Sequence, residues 1–154
     1  MQPLDDTSKS EVEFVTFSAG EQSFSIEITQ VREIRRWSPV TALPHAPQEV
    51  LGVMNLRGSV IPIYDLAARF GLGQTKENPR NVIVVAMHGA QTVGLLVEAV
   101  SEILSVSRDQ IQETPEIRSE MARQSITGVI QIENGMTRVI DLGAVLQHGG
   151  RTAP

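Results

Sequence analysis

Apolar and polar residues alternate along Phe24-Ser25-Ile26-Glu27-Ile28, so that Phe24, Ile26 and Ile28 share one face while Ser25 and Glu27 share the other. A period of two marks a half-buried β-strand. Upstream, Phe14-Val15-Thr16-Phe17 reads as its partner strand across a turn at Ser18-Ala19-Gly20-Glu21. Val82-Ile83-Val84-Val85-Ala86-Met87 is apolar without alternation, which predicts a strand covered on both faces. After His88-Gly89-Ala90 the chain returns through Val93 to Val97. Two more hairpins follow the same logic. One runs from Gly52 to Asp65 with its turn at Arg57-Gly58-Ser59-Val60, the other from Gly128 to Asp141 with its turn at Glu133-Asn134-Gly135-Met136. The Asn-Gly of the latter tolerates the positive φ of a tight hairpin turn. Each hairpin ends in Asp-Leu, and Gly71 or Gly149 lies beyond, so an N-capping aspartate and a terminating glycine frame a short helix at both places. Ser38 to Pro47 contains Pro39, Pro44 and Pro47 and reads as an ordered loop, while its polar counterpart, Arg108 to Ser125, has room for a short helix over 116–124.

These elements recur. Val15, Gly20, Gln22, Ile26, Val31, Glu33 and Ile34 match Val84, Gly89, Gln91, Leu95, Val100, Glu102 and Ile103 at a displacement of 69 residues, and Gly52 to Leu66 matches Gly128 to Leu142 at a displacement of 76. The molecule is therefore a duplication of one small unit, with a cleft between the copies. About five short strands per unit, punctuated by Gly and Pro, predict an all-β fold of two small closed barrels. Whether strands stay within one barrel or exchange between the two is open at this level. The expected boundaries are a tail at 1–11, a first half at 12–72, a linker at 73–80, a second half at 81–147 and a tail at 148–154.

Composition narrows the function. The 154 residues carry six aromatics, so the core must be mostly Val, Ile and Leu. A net charge of −5 argues against nucleic acid as the main partner. The absence of Cys removes disulfides and thiolate metal sites. No apolar run reaches a membrane-spanning length, and the first residues lack a signal-peptide pattern.

Candidate chemistry is sparse. Asp65 and Asp141 occupy equivalent positions in the two halves, the arrangement of an aspartic-type carboxylate dyad. They are followed by Leu rather than by a Thr-Gly or Ser-Gly turn, and helix capping explains both. His45, His88 and His148 lack ligand spacing, and no phosphate-binding loop or nucleophile elbow is present. Trp37, beside the proline loop, reads as a cap on one barrel or an interface anchor. Arg57 stands out. It sits at a hairpin tip between apolar flanks, its mate Glu133 has the opposite charge, and Pro62 in the returning strand suggests an edge or a bulge. A charged tip on such a strand suits docking, which makes a generic peptide-binding barrel module the alternative to a hydrolase.

At Gly52-Val53-Met54-Asn55-Leu56-Arg57-Gly58-Ser59-Val60-Ile61-Pro62-Ile63-Tyr64-Asp65-Leu66 the chain resembles the CheW family of bacterial chemotaxis coupling proteins, and Phe14 to Phe17, Ile28 to Ile34 and Val93 to Val100 agree with it. The resemblance spans about 12–146. It implies two five-stranded SH3-like β-barrels around a shared hydrophobic core, no catalytic activity and no cofactor. It implies a cytoplasmic scaffold, at receptor arrays, joining chemoreceptor signalling tips to the regulatory domain of the histidine kinase CheA. Carried onto this chain, it implies receptor contacts at Arg57, Glu33, Val31, Gly52 and Ile103. For kinase contacts it implies Ile117 and Gln112, where Gln112 replaces the Arg of some relatives.

Overall fold

The computed structural model describes residues 11–113, 125–133 and 135–151. The expected tail residues 1–10 and 152–154 and the expected helix at 116–124 lie outside them. The elements are β1 (Glu11–Ala19), β2 (Gln22–Glu27), a 3₁₀ turn (Ile28–Gln30), β3 (Val31–Arg36), β4 (Val50–Leu56), β5 (Ser59–Asp65) and α1 (Leu66–Arg69). They continue with β6 (Val82–His88), β7 (Gln91–Val97), β8 (Ala99–Ser107), a second 3₁₀ turn (Arg108–Gln110), β9 (Ile111–Gln112), β10 (Ile126–Ile132), β11 (Gly135–Ile140) and α2 (Leu142–Arg151).

The strands form two sheets, in the orders β8-β1-β2-β11-β10-β9 and β3-β6-β7-β5-β4. Each closes into a barrel through one bent strand. In the first, β8 pairs with β1, and its continuation β9 pairs with β10 across the 3₁₀ turn. In the second, β3 pairs with β6, and further along the chain Thr41 exchanges both backbone hydrogen bonds with Val53 of β4, each at 2.9 Å. We call these the β1 barrel and the β3 barrel.

Neither barrel is one half of the sequence. The β1 barrel takes β1 and β2 from the first half and β8–β11 from the second, and the β3 barrel takes the complement. The 69- and 76-residue displacements turn one strand order into the other. They also map the bulge that skips Arg32 in β3 onto the one that skips Ser101 in β8, and the skip at Leu51 in β4 onto Thr127 in β10. The parallel pair Ile63↔Gly94 maps onto Val139↔Ser25.

Three apolar clusters follow from this exchange. One fills the β3 barrel with Met54, Leu56, Ile61, Ile63, Ile83, Val85 and Leu96, and a smaller one fills the β1 barrel around Phe14 and Ile130. The largest lies between the barrels and draws Phe17, Phe24, Ile26, Leu66, Val84, Leu95, Leu142 and Val145 from both halves. Strand β6 shows why its sequence lacks alternation. Ile83 and Val85 face the interior of the β3 barrel, while Val84 and Ala86 face the shared core. Trp37 packs against the cluster inside the β3 barrel and donates its backbone N–H to Asn81 O at 3.0 Å, so it caps that barrel.

Two glycine mates let the barrels close. A Cβ on Gly52, at φ +153°, would stand 2.1 Å from Thr41 O, and one on Gly128 would stand 2.8 Å from Gln112 O. In both cases the closing strand approaches too closely for a side chain.

The helix caps form as expected. Asp65 Oδ1 accepts from Ala68 N at 3.4 Å and Asp141 Oδ1 from Ala144 N at 3.3 Å. Gly71, at φ +75°, ends α1 with Leu72 N donating to Ala67 O and Gly71 N to Ala68 O, a Schellman pattern. Three expectations are corrected. Gly149 does not end α2, which continues to Arg151 past the tail boundary at 148; a glycine lowers helix propensity by about 1 kcal/mol but keeps its N–H in the ladder. Gly135 opens β11 by pairing with Ile132, so the turn centre falls one residue before the Asn-Gly pair, whose Asn134 is outside the described residues. Finally, β5 is an inner strand by order, yet it tolerates Pro62. Val53, opposite Pro62, spends its hydrogen bonds on Thr41, and β7 begins pairing with β5 only at Ile63, so no partner needs the missing N–H.

Candidate functional site

Arg57 and Gly58 form the two-residue turn between paired Leu56 and Ser59, with φ +50° and +90°. Positive φ at both positions is the type I′ signature, matched to the twist of the strands. Asn55 Oδ1 accepts from Gly58 N at 3.1 Å and holds the turn. The Arg57 side chain is 65% exposed, so it points outward as expected. Its Nη2 donates to Glu33 Oε2, and Arg35 Nη1 lies 3.5 Å from Glu33 Oε1.

Glu33 reaches this contact because of strand parity. It pairs with Val85 on the interior side of the β3 barrel, and the bulge at Arg32 sets that phase. Its carboxylate therefore sits at the barrel mouth, above a floor of Leu56, Ile61 and Val85, with Arg32, Arg57 and Thr92 completing the hollow. The hydrogen bond from Arg57, aided by charge attraction from Arg57 and Arg35, holds the Glu33 carboxyl below its ordinary value. The same contact holds the Arg57 guanidinium further above its own.

The structure brings Glu33 and Arg57 together but distributes the other expected residues differently. Val31 is half-buried, paired with Ala86 and packed on the shared core. Gly52 is buried and faces Thr41, so its place is accounted for by barrel closure. Ile103 belongs to the other barrel, on β8 opposite Val15, and is 59% exposed; its mate Ile34 on β3 is 46% exposed. Gln112 is exposed on β9 beside Val129. Ile117 lies outside the described residues.

The two aspartates of the expected dyad both serve as helix caps. Asp65 is fully buried, and besides capping α1 its carboxylate accepts from Thr75 N at 2.8 Å and Thr75 Oγ1 at 2.6 Å. Those donors pin the segment after α1 and leave the group a structural role. His45 and His88 are exposed, and no cluster among the described residues could hold a metal.

Sequence reasoning missed Arg69. It is 4% exposed, in α1, and donates through Nε to Val145 O at 3.3 Å and through Nη2 to Ser125 Oγ at 3.0 Å and Ala144 O at 3.3 Å. Burial lowers its pKa against the raising pull of Glu49. Under the 76-residue displacement Arg69 maps to Val145 and Glu49 to Ser125, and the bonds Asp65 N→Glu49 O and Asp141 N→Ser125 O are both 2.7 Å. Arg69 thus sits at the axis relating the two halves and reaches toward both mates. A second arginine at 145 would place like charge against it, so the axis holds one. The readable signal was a charged residue whose repeat mate is apolar.

Comparison with known proteins places this geometry. The CheW-like domain family matches residues 13–150. The chain is 48% identical to a probable chemotaxis protein CheW of Rhizobium etli over 136 residues, covering 88% of each chain. It is 47% identical to the chemotaxis protein CheW of Rhizobium meliloti over 141 residues, covering 92% of this chain and 91% of that one. Among solved structures, a scaffolding CheW protein from Thermoanaerobacter tengcongensis superposes with a TM-score of 0.77 at 29% identity, covering 85% of this chain and 84% of the other.

Proposed function

This chain belongs to the CheW family, and we propose that, as a chemotaxis coupling scaffold, it joins chemoreceptor signalling tips to the regulatory domain of the histidine kinase CheA. The observation that carries the receptor contact is the Glu33–Arg57 pair at the mouth of the β3 barrel, exposed above an apolar floor. Arg57 meets the receptor as an outward guanidinium, and Glu33 orients it. Val31, Gly52 and the exposed Ile103 contribute from the surrounding strands, in a helix-in-groove mode. We assign Gln112 and Ile117 to the kinase contact. Single contacts of this sort are modest, and an array gains strength from many at once. The scaffold is cytoplasmic at receptor arrays, and among the described residues no helix is long and apolar enough to cross a membrane. The buried, donor-saturated Asp65 disfavours a hydrolase.

The test is association of the full chain with a receptor signalling-tip fragment and with the kinase regulatory domain. Arg57→Ala is expected to weaken receptor binding by about 1–3 kcal/mol, a hot-spot cost, with kinase binding unchanged and little loss of melting temperature. Unaltered receptor affinity would remove Arg57 from that interface. Binding of unrelated peptides with no affinity for the kinase would instead favour a generic peptide module.

A further inference from the structure

We propose that the mouth of the β3 barrel selects an acidic partner segment, and that Arg32 and Arg35 supply this selectivity together with Arg57. The inference rests on the receptor-coupling reading and deepens it by naming the chemistry the partner must present: a carboxylate beside an apolar side chain.

Three guanidinium groups, Arg32, Arg35 and Arg57, surround one carboxylate, Glu33, so the rim has an excess of two positive charges. Arg35 reaches the same carboxylate from the strand side, with Nη1 3.5 Å from Glu33 Oε1 and its side chain 36% exposed. The floor beneath is apolar, and Val60 stands 64% exposed beside the tip.

The duplication acts as an internal control. At the mouth of the β1 barrel the mates of Arg32, Arg35 and Arg57 are Ser101, Leu104 and Glu133, while the mate of Glu33 is Glu102. That barrel has the same strand order and the same bulges without any of the three arginines. The arginines are therefore not required by the fold. In a chain of net charge −5 their clustering is a local feature, and like charges held together are offset when an anionic partner arrives.

The experiment measures affinity of the full chain for a receptor signalling-tip fragment across a sodium chloride series. It uses the native chain, Arg57→Ala, the double variant Arg32→Gln with Arg35→Gln, and the double variant with lysine at the same two positions. The Gln variant is expected to bind about tenfold more weakly at low salt and to show a flatter salt dependence, because rim charges act on association and its screening. The Lys variant is expected to keep most of the affinity and the native salt dependence, which separates charge from packing. If Arg57→Ala weakens binding while the Gln variant matches the native chain at every salt concentration, the inference is overturned and the receptor reading stands. If Arg57→Ala is also without effect, both fail. If the Gln variant changes only self-association of the chain in sedimentation, the occupant is a second copy and the inference is overturned.

Discussion

The two barrel mouths share a backbone plan and carry opposite chemistry. At the mouth of the β3 barrel, arginines ring Glu33 above Ile61 and Val85. At the mouth of the β1 barrel the mates of Ile61, Val85 and Thr92 are Thr137, Thr16 and Ser23. There the hydroxyls satisfy one another and the backbone: Ser23 Oγ donates to Thr137 Oγ1 at 2.8 Å and Thr16 Oγ1 to Glu102 O at 3.0 Å. One mouth is open, apolar and cationic, whereas the other is internally hydrogen-bonded and edged with Glu102 and Glu133. What both copies keep, namely bulges, closing glycines and capping aspartates, is what a small barrel needs to close. What differs is free of that demand and reports on partners.

The severest way to break this comparison is to remove what joins the two barrels. Arg69→Met is expected to lower unfolding free energy in urea by about 3 kcal/mol, since it strips the donors from Val145 O, Ala144 O and Ser125 Oγ at buried positions. A loss below about 1 kcal/mol would show that the barrels are held together by the shared apolar core alone. Next come the closing glycines. Gly52→Ala is expected to cost about 2–3 kcal/mol, because its Cβ would collide with backbone at a positive φ. Gly128→Ala is expected to cost nearer 1 kcal/mol, because it carries no such φ and one of its close contacts is the Ile111 side chain. Equal costs in parallel denaturation curves would mean that the two closures are energetically alike.

Converting one mouth toward the other sharpens the comparison at smaller cost. Arg57→Glu, which copies Glu133, is expected to lose at least the affinity for a receptor tip lost by Arg57→Ala, about 1–3 kcal/mol, while stability stays within about 0.5 kcal/mol as for an exposed site. The smallest effect is a titration. Carbon-detected NMR of Glu33 should find its pKa below 4.5, rising toward that value in Arg57→Ala. Because the folded value is the lower one, the pair contributes its stability above the unfolded pKa near 4.5 and loses it as pH falls through the depressed folded value. A Glu33 titration unmoved by Arg57→Ala would mean that the pair does not persist in solution.

Much of this was legible in the chain. Period-two alternation gave β2, the unbroken apolar run gave β6 with two covered faces, and Asp-Leu with a following Gly gave the start of both helices and the end of α1. The displacement of the repeat also set Arg57 against Glu133. The exchange of strands was not legible, because local patterning sets which face of a strand is buried without naming its neighbour. The fate of Pro62 was hidden for a related reason: whether a missing N–H matters depends on which strand lies alongside it. Arg69 escaped because a short helix shows no clear period, and its burial depends on a second helix from the other half of the sequence.

Sequence by itself determined the hairpin strands, the duplication and the charge difference between equivalent positions, since these follow from side-chain type and spacing along the chain. Only the tertiary structure decided that each barrel is assembled from both halves, that one arginine occupies the axis between them, and that Glu33 meets Arg57 across 24 residues of chain. Those outcomes depend on long-range strand pairing and on the bulge at Arg32, which turns Glu33 toward the barrel mouth.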